Sequence, residues 1–453
     1  MQTHKYVATV LLPFAAAFTV PTFARIIELI VGAILCRGRR TITRIIAALG
    51  GQQTGHVTDY HRVLSRAPWK SYRLFVVLAG LVLAVVPDKW VEVVFDDTGT
   101  RHKGDKVYGK GCHRDAVRSS QKHTTFYFGH KWVAMCILVR FPWFKRPLSL
   151  PILSLLYIPP KTIEKMQKDG IIVRHRSMPQ LAKLMIWFLA KAFPTRIFRF
   201  LGDGGYSSQE LARFCAKMQG RVALVGKLHP EANLYEKPAM GSKAAKGAKR
   251  MKPSEQVQSG NFHHATVRWY NSSSRKVKYK SGTGLWYRSG QGVVEVRWVF
   301  VRDMEGNHRD EYFFTTDLSM SEVEIIESYT GRWNIETTFQ ECKEHLGLDA
   351  TRNRTETSVR RSVPCLLALY TLTALVFHEF WKEHPDDWRE RMNGEIGYCG
   401  YVKQDVTFGD ILALVRRLIF EQLLLNTLPR NRVSRFLDSD IGKFILTQLL
   451  QAT

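Results

Sequence analysis

The chain has 453 residues, 45% hydrophobic and 11% aromatic, which excludes the disordered class and suffices for a large core or two to three domains. Lys and Arg number 66 against 40 Asp and Glu, a net charge of +26, and a folded chain this basic points to an acidic partner, nucleic acid before an anionic membrane. The seven cysteines, at 36, 112, 136, 215, 342, 365 and 399, form no CxxC pair, which argues against a zinc module or secreted disulfide framework and fits reduced thiols in cytoplasm.

Residues 1–88 read as a mostly helical N-terminal region. The apolar run 7–36 is interrupted by Pro13, Pro21, Arg25 and Glu28. The cleaner runs 74–87 and 363–377 fall short of the roughly 20 residues a spanning helix requires, so buried core helices and no membrane association are expected. Arg37, Arg39, Arg40 and Arg44 lead into Ile42, Ile45, Ile46 and Leu49; Gly50-Gly51 follows, then a second run from His56 to Leu64. Two short helices about a glycine turn fit a helix-turn-helix or an ordinary helical hairpin, and the basic charge makes DNA binding a candidate role.

Residues 89–228 alternate strand and helix. A strand from Lys89 to Phe95 ends at Asp96-Asp97; Trp132–Val139 and Leu150–Ile158 are further strands, and 177–192 is a helix. Ile197–Leu201 is a strand ending at Asp203, Ser207–Met218 a helix capped by Ser207 or Ser208, and Arg221–Leu228 a strand. Such alternation predicts a mixed α/β sheet. In 229–318 a basic stretch, Gly241–Pro253, precedes short aromatic strands at Ala265–Tyr270, Val277–Lys280, Leu285–Tyr287, Val293–Val301 and Glu311–Thr315, a β-rich insertion. Trp269, Trp286 and Trp298 are expected to fill its core. Residues 319–356 return to helix, and 357–453 form a helical C-terminal region, with helices at 357–383 and 407–450.

Carboxylates at strand ends face the crevice where α/β sheets bind ligands, and two or three together can hold magnesium in an all-oxygen site. Asp96 and Asp97 are adjacent, and period-two alternation sends them to opposite faces, so one alone leads such a site. Strand-end aspartates are also common turn residues. More pointed is Tyr329, Arg332, Glu336 and Lys343, spaced 3, 4 and 7 apart and so on one stripe of a helix capped by Ser319 or Ser321. At a phosphodiester, the glutamate would hold metal while arginine and lysine neutralise phosphate.

Tyr-x2-Arg-x3-Glu-x6-Lys resembles the signature of a large group of bacterial insertion-sequence DDE transposases. Asp97-Thr98 after a hydrophobic strand looks like that group's first aspartate motif, the following threonine favouring Asp97 over Asp96. Asp203 before Gly204-Gly205-Tyr206 looks like its second, and 229–318 falls where the group carries a β-rich insertion. The resemblance covers roughly 89–350. It implies an α/β, ribonuclease-H-like mixed sheet with flanking helical regions, and catalytic, metal-binding carboxylates Asp97, Asp203 and Glu336. It implies two Mg²⁺ ions, with Mn²⁺ able to substitute, and DNA contacts from Tyr329, Arg332 and Lys343. The implied reaction is strand cleavage at terminal inverted repeats of double-stranded DNA followed by transfer into target DNA, by a homodimer in a bacterial nucleoid-associated setting. Lys103, Lys106, Lys110 and Arg114, in a glycine-containing loop after Asp97, are candidates to hold a strand. His102, His113, His123 and His130 follow no zinc spacing. Two rivals are a DNA-binding protein derived from a transposase but no longer catalytic, against which the intact carboxylates speak, and a small-phosphoester hydrolase, which would need no such charge.

Overall fold

The computed structural model describes residues 3–115, 118–120, 122–218, 220–270, 273–395, 403–442 and 445. Cys399 and the segments 443–444 and 446–450 of the expected last helix lie outside the described residues.

The centre is an 11-stranded mixed sheet. Its strands are β1 (Trp90–Arg101), β2 (Gly111–Arg114), β3 (Phe126–Val139), β4 (Leu148–Tyr157), β5 (Ile197–Gly202), β6 (Val222–Lys227), β7 (Leu234–Tyr235), β8 (His263–Trp269), β9 (Ser273–Arg288), β10 (Gly292–Asp303) and β11 (Glu311–Thr315). In β1, Val91, Val93, Val94 and Phe95 are fully buried, the continuous apolar run of a strand covered on both faces. β3 lies antiparallel to both β1 and β4, while β5 runs parallel to β1 and β6 parallel to β5. The order β4-β3-β1-β5-β6, an antiparallel meander followed by two helix-connected parallel strands, is the ribonuclease-H-like arrangement. The helix Met178–Ala192 leads into β5, and Gln209–Ala216, capped by Ser208, joins β5 to β6.

The 229–318 region is not a separate unit. β11 pairs antiparallel with β6, placing Phe314 opposite Gly226, and β10 and β9 continue the same sheet. The expected strands at Val277–Lys280 and Leu285–Tyr287 are one strand, β9. Its middle carries Ser281-Gly-Thr-Gly, which reads as a break, but Gly282 sits opposite Trp298, and a Cβ there would lie 3.0 Å from the indole Nε1. Trp269 and Trp298 are buried and Trp286 packs edge-on against Phe314, so all three tryptophans serve the core.

The N-terminal helices share that core. Ile42–Ala47 and Val57–Ser65 form the expected pair, with Gly50 and Gly51 between them at φ 59° and 87°. They pack on the helix Val20–Leu35, whose buried Glu28 explains a charge in an apolar run. Its carboxylate accepts from Tyr60 Oη, from Thr54 Oγ1 at 2.8 Å and from Arg25 Nη1 at 3.0 Å. Among the described residues one helix is long and apolar enough to cross a membrane, Glu356–Glu383, and 72% of its apolar stretch is buried here. It packs on β4 and on the helix Phe408–Leu425.

Candidate active site

Three chain segments meet where the parallel pairing of β1 with β5 ends; β5 stops there, while β1 runs on past the expected end at Asp96-Asp97 to Arg101. The parallel register pairs Phe95 with Gly202, so the next residues out, Asp96 and Asp203, stand side by side. At Asp203 the chain turns: Oδ1 accepts from Gly205 N at 2.8 Å, the Tyr206 amide donates to the Asp203 carbonyl at 3.0 Å, and Ser207 Oγ donates to the same carbonyl at 2.6 Å. An aspartate that closes its own turn is held in place at the end of its strand, here the interior strand β5.

The third segment is a broken helix. Glu322–Gly331 begins with the capping box of Ser321 and Glu324, and Asn334–Leu346 carries Glu336 in its first turn. Between them Arg332, Trp333, Ile335 and Glu336 donate to carbonyls three residues back at 3.0–3.3 Å, a tightened turn where one continuous helix was expected. The Thr330 hydroxyl also bonds back to the Ile326 carbonyl at 3.0 Å, a contact that bends helices. The tighter turn shifts the helical phase between Tyr329 and Glu336, with Tyr329 still against Arg332, its ring 5.8 Å from the guanidinium.

Arg332 and Glu336 stand at the strand carboxylates. Arg332 Nη1 donates to Asp96 Oδ2 at 3.1 Å, and Nη2 lies 3.6 Å from Glu336 Oε1. The guanidinium thus stands between an aspartate of β1 and the helix glutamate. Burial first, and then Asp203 and Asp97, push the Asp96 carboxyl up to about 7 against the pull of Arg332. Burial first and Asp203 next also raise Glu336, again opposed by Arg332. Asp203 therefore acts on both partners of Arg332.

Asp97, which motif order favoured, faces the other way. Its carboxylate pairs with Lys131 Nζ of β3 at 2.9 Å, on the face where Phe95 stacks toward Tyr206. The reason is strand alternation: Glu92, Val94 and Asp96 point toward the helix Glu322–Gly331, as the bond from Ser328 to Glu92 shows, while Val93, Phe95 and Asp97 point to the opposite layer. The expectation of Asp97 beside Arg332 and Glu336 is thus corrected to Asp96. The clue was the alternation itself, which needed the covering helix to say which face counts.

Tyr329 is 3% exposed and stacked on Phe313 with centroids 4.2 Å apart, a ring packed into the core beneath Arg332, whose guanidinium lies 5.8 Å from it. Lys343 is exposed in the last turn of its helix, near Asp349, whose carboxyl burial raises against the pull of Lys343 and Arg101. Sequence reasoning missed Lys131, and Tyr270 and Trp333, whose rings meet 6.1 Å apart beside Glu336. Of the loop cations, Lys103, Lys106 and Arg114 are exposed, while Lys110 bonds the Gly104 carbonyl.

As arranged, no three acidic, histidine or cysteine side chains among the described residues stand close enough to grip a metal ion directly. The donor chemistry of Asp96, Asp203 and Glu336 nonetheless fits a hard divalent cation: oxygen ligands only, and mutually repelling carboxylates that such a charge would relieve. Buried His102, His113 and His130 form no metal cluster, and burial lowers each of them.

A family profile described as DDE superfamily endonuclease matches residues 13–276, and one described as Archaeal putative transposase ISC1217 matches residues 289–382. No curated protein matches the chain. Among solved structures it is similar to a piggyBac transposase in a synaptic complex with hairpin DNA, at 10% identity and a TM-score of 0.38, over 97% of this chain and 81% of that one.

Proposed function

The chain belongs to the DDE superfamily of endonucleases, and from that premise we propose that it is the DNA transposase of an insertion sequence. It would cleave strands at the terminal inverted repeats of its element and join them to target DNA. The observation that carries this reading is the linkage of Asp96, Arg332 and Glu336 beside Asp203, on the central strands of a chain with net charge +26.

In this proposal Asp96, Asp203 and Glu336 hold magnesium or manganese, two ions on the pattern the sequence resembles. When bound, the metal supplies Lewis acidity to phosphorus–oxygen displacement and an activated oxygen nucleophile. The chain's own residues do the rest. Asp203, pinned by its turn, fixes one corner of the site. Glu336 is 45% exposed and can reach an incoming backbone. Arg332 holds Asp96 and Glu336 together in the free protein; with substrate present, its planar fork suits a phosphate as well as it suits a carboxylate. Lys343 would add charge along the same helix, and Lys131 keeps Asp97 neutralised on the other face. A homodimer on paired ends is part of the proposal, so that both ends are processed together.

The reading is tested with a duplex carrying the inverted repeats that flank the gene. Cleavage that needs Mg²⁺ and is lost in Glu336→Gln supports it. Binding without cleavage by the unaltered protein favours the non-catalytic rival.

A further inference from the structure

We propose that the outer corner of the sheet, where β2 meets the start of β3, is a separate nucleic-acid surface: a platform on which Phe126 and Phe128 receive the bases of an unpaired DNA strand. The inference rests on the DNA reading above but on none of the carboxylates.

Phe126 and Phe128 are 60% and 63% exposed, although large aromatic side chains normally end up inside. They sit two residues apart on one strand and so share a face, with Tyr127 between them turned inward against His113 and over Gly99. Their cross-strand partners on β2 are Arg114 and Cys112, both exposed, so no side chain on that strand covers the rings. The two rings flank a cleft of about 580 Å³ also lined by Arg101, Lys103, Lys110 and Arg118, against one acid, Asp105. Asp105 lies 3.9 Å from Lys110, and Asp115 pairs with Arg101 at 2.8 Å. No ion pair among the described residues engages Lys103, Arg114 or Arg118.

Charge decides the occupant. An apolar peptide or a second copy of this basic chain would gain nothing from a cationic rim. A single strand needs both components: base faces stack on aromatic rings, and the backbone follows positive charge. A duplex hides its base faces and offers only phosphate.

The platform also lies on the useful side of the sheet. Asp96 is opposite Ala134, and alternation along β3 puts Phe126, Phe128, His130, Trp132 and Ala134 on one face. His130 and Trp132 are buried, and the rings emerge beyond them. Phe128 is six residues from Ala134, about 20 Å along a strand, or roughly six nucleotides of one DNA strand. A strand end parted from its complement near the carboxylates would reach it.

The test uses the full chain in EDTA, so that no cleavage intervenes, with anisotropy of dye-labelled dT20 and of a 20-base-pair duplex. Phe126→Ala/Phe128→Ala should weaken dT20 binding about tenfold or more, since each base–aromatic stack contributes measurably, while duplex binding changes less than about threefold. Phe126→Tyr/Phe128→Tyr should restore dT20 affinity. Arg118→Ala should weaken both ligands and flatten their salt dependence. Circular dichroism of the alanine pair should match the parent, because the rings are exposed. A dT20 affinity within twofold of the parent overturns the platform, and so does a double variant that loses self-association in sedimentation while its dT20 affinity stands. Either result, with cleavage of duplex ends retained, leaves the transposase reading intact; a parent that binds neither DNA would sink that reading instead.

Discussion

Arg332 reaches Asp96 across 236 residues of sequence, donating at 3.1 Å from a kink between two helices to the middle of a central strand. That bond identifies which of two adjacent aspartates belongs with Glu336. It also gives the free protein a positive group where the family chemistry calls for metal. The consequences can be measured one at a time.

The first concerns pH. Folding raises the Asp96 carboxyl from 3.8 to about 7, chiefly by burial, so between those values the folded state keeps a proton that the unfolded chain has released. Stability of the metal-free protein should therefore fall as pH rises from about 4 to about 7. Asp96→Asn should flatten this decline, making the variant more stable than the parent at pH 8, by a margin of roughly 1–4 kcal/mol. Thermal melts across that pH range check it; an unchanged slope in the variant would count against the buried, crowded carboxyl.

Metal addition should act in the opposite sense. Mg²⁺ at millimolar concentration should raise the melting temperature at pH 8 and much less at pH 5.5, because ligand carboxylates must be ionised to bind it. Asp203→Asn should abolish the shift. A shift of equal size in that variant would place the metal elsewhere.

Tyr329 separates packing from DNA contact. Its ring is stacked on Phe313 in the core, so Tyr329→Phe should leave stability within about 1 kcal/mol and DNA affinity unchanged, whereas Tyr329→Ala should cost about 3–5 kcal/mol in urea unfolding. Reduced DNA affinity in a stable Tyr329→Phe protein would restore the direct contact that the sequence pattern suggested.

The N-terminal helices give a stability prediction of their own. Glu28 accepts from Tyr60, Thr54 and Arg25 while 3% exposed. Glu28→Ala strands three donors and a charge, and should cost about 3–5 kcal/mol. These bonds hold the Glu28 carboxyl below its usual value despite burial, so its contribution is present above about pH 4.5 and is lost as pH falls through the lowered value. Because Tyr6, Val7 and Val10 are buried in the common core, the DNA-binding role expected of this region is better probed by Arg62→Ala and Arg66→Ala than by truncation. Weaker binding to the repeats with unchanged melting would support that role.

What the sequence made legible was local. Glu336 stood out through its spacing to Arg332 and Lys343, and the strands leading to Asp96 and Asp203 stood out as apolar runs ending in acid. What it concealed was relational. Which of Asp96 and Asp97 faces the helix depends on the layer that covers β1, and no pattern within β1 encodes that. The turn at Arg332 and Trp333 escaped detection because both residues are ordinary helix formers; only the hydrogen bonds reveal the tightening. How the β-rich insertion joins the core was not legible, because its attachment, β11 against β6, joins residues far apart in the chain. The expected strand Trp132–Val139 fell short of the start of β3 because Phe126 and Phe128 break the inward-apolar rule that identifies strands.

The most direct measurement compares Asp96→Asn with Asp97→Asn for Mg²⁺-dependent cleavage of the flanking repeats, at equal folded concentration. Loss of about a thousandfold or more in the first, with the second within about tenfold of the parent, is the predicted result, since removing a metal ligand deprives the reaction of its main charge stabilisation. The reverse order, with Asp96→Asn active and Asp97→Asn dead, would contradict the assignment that Arg332 marks.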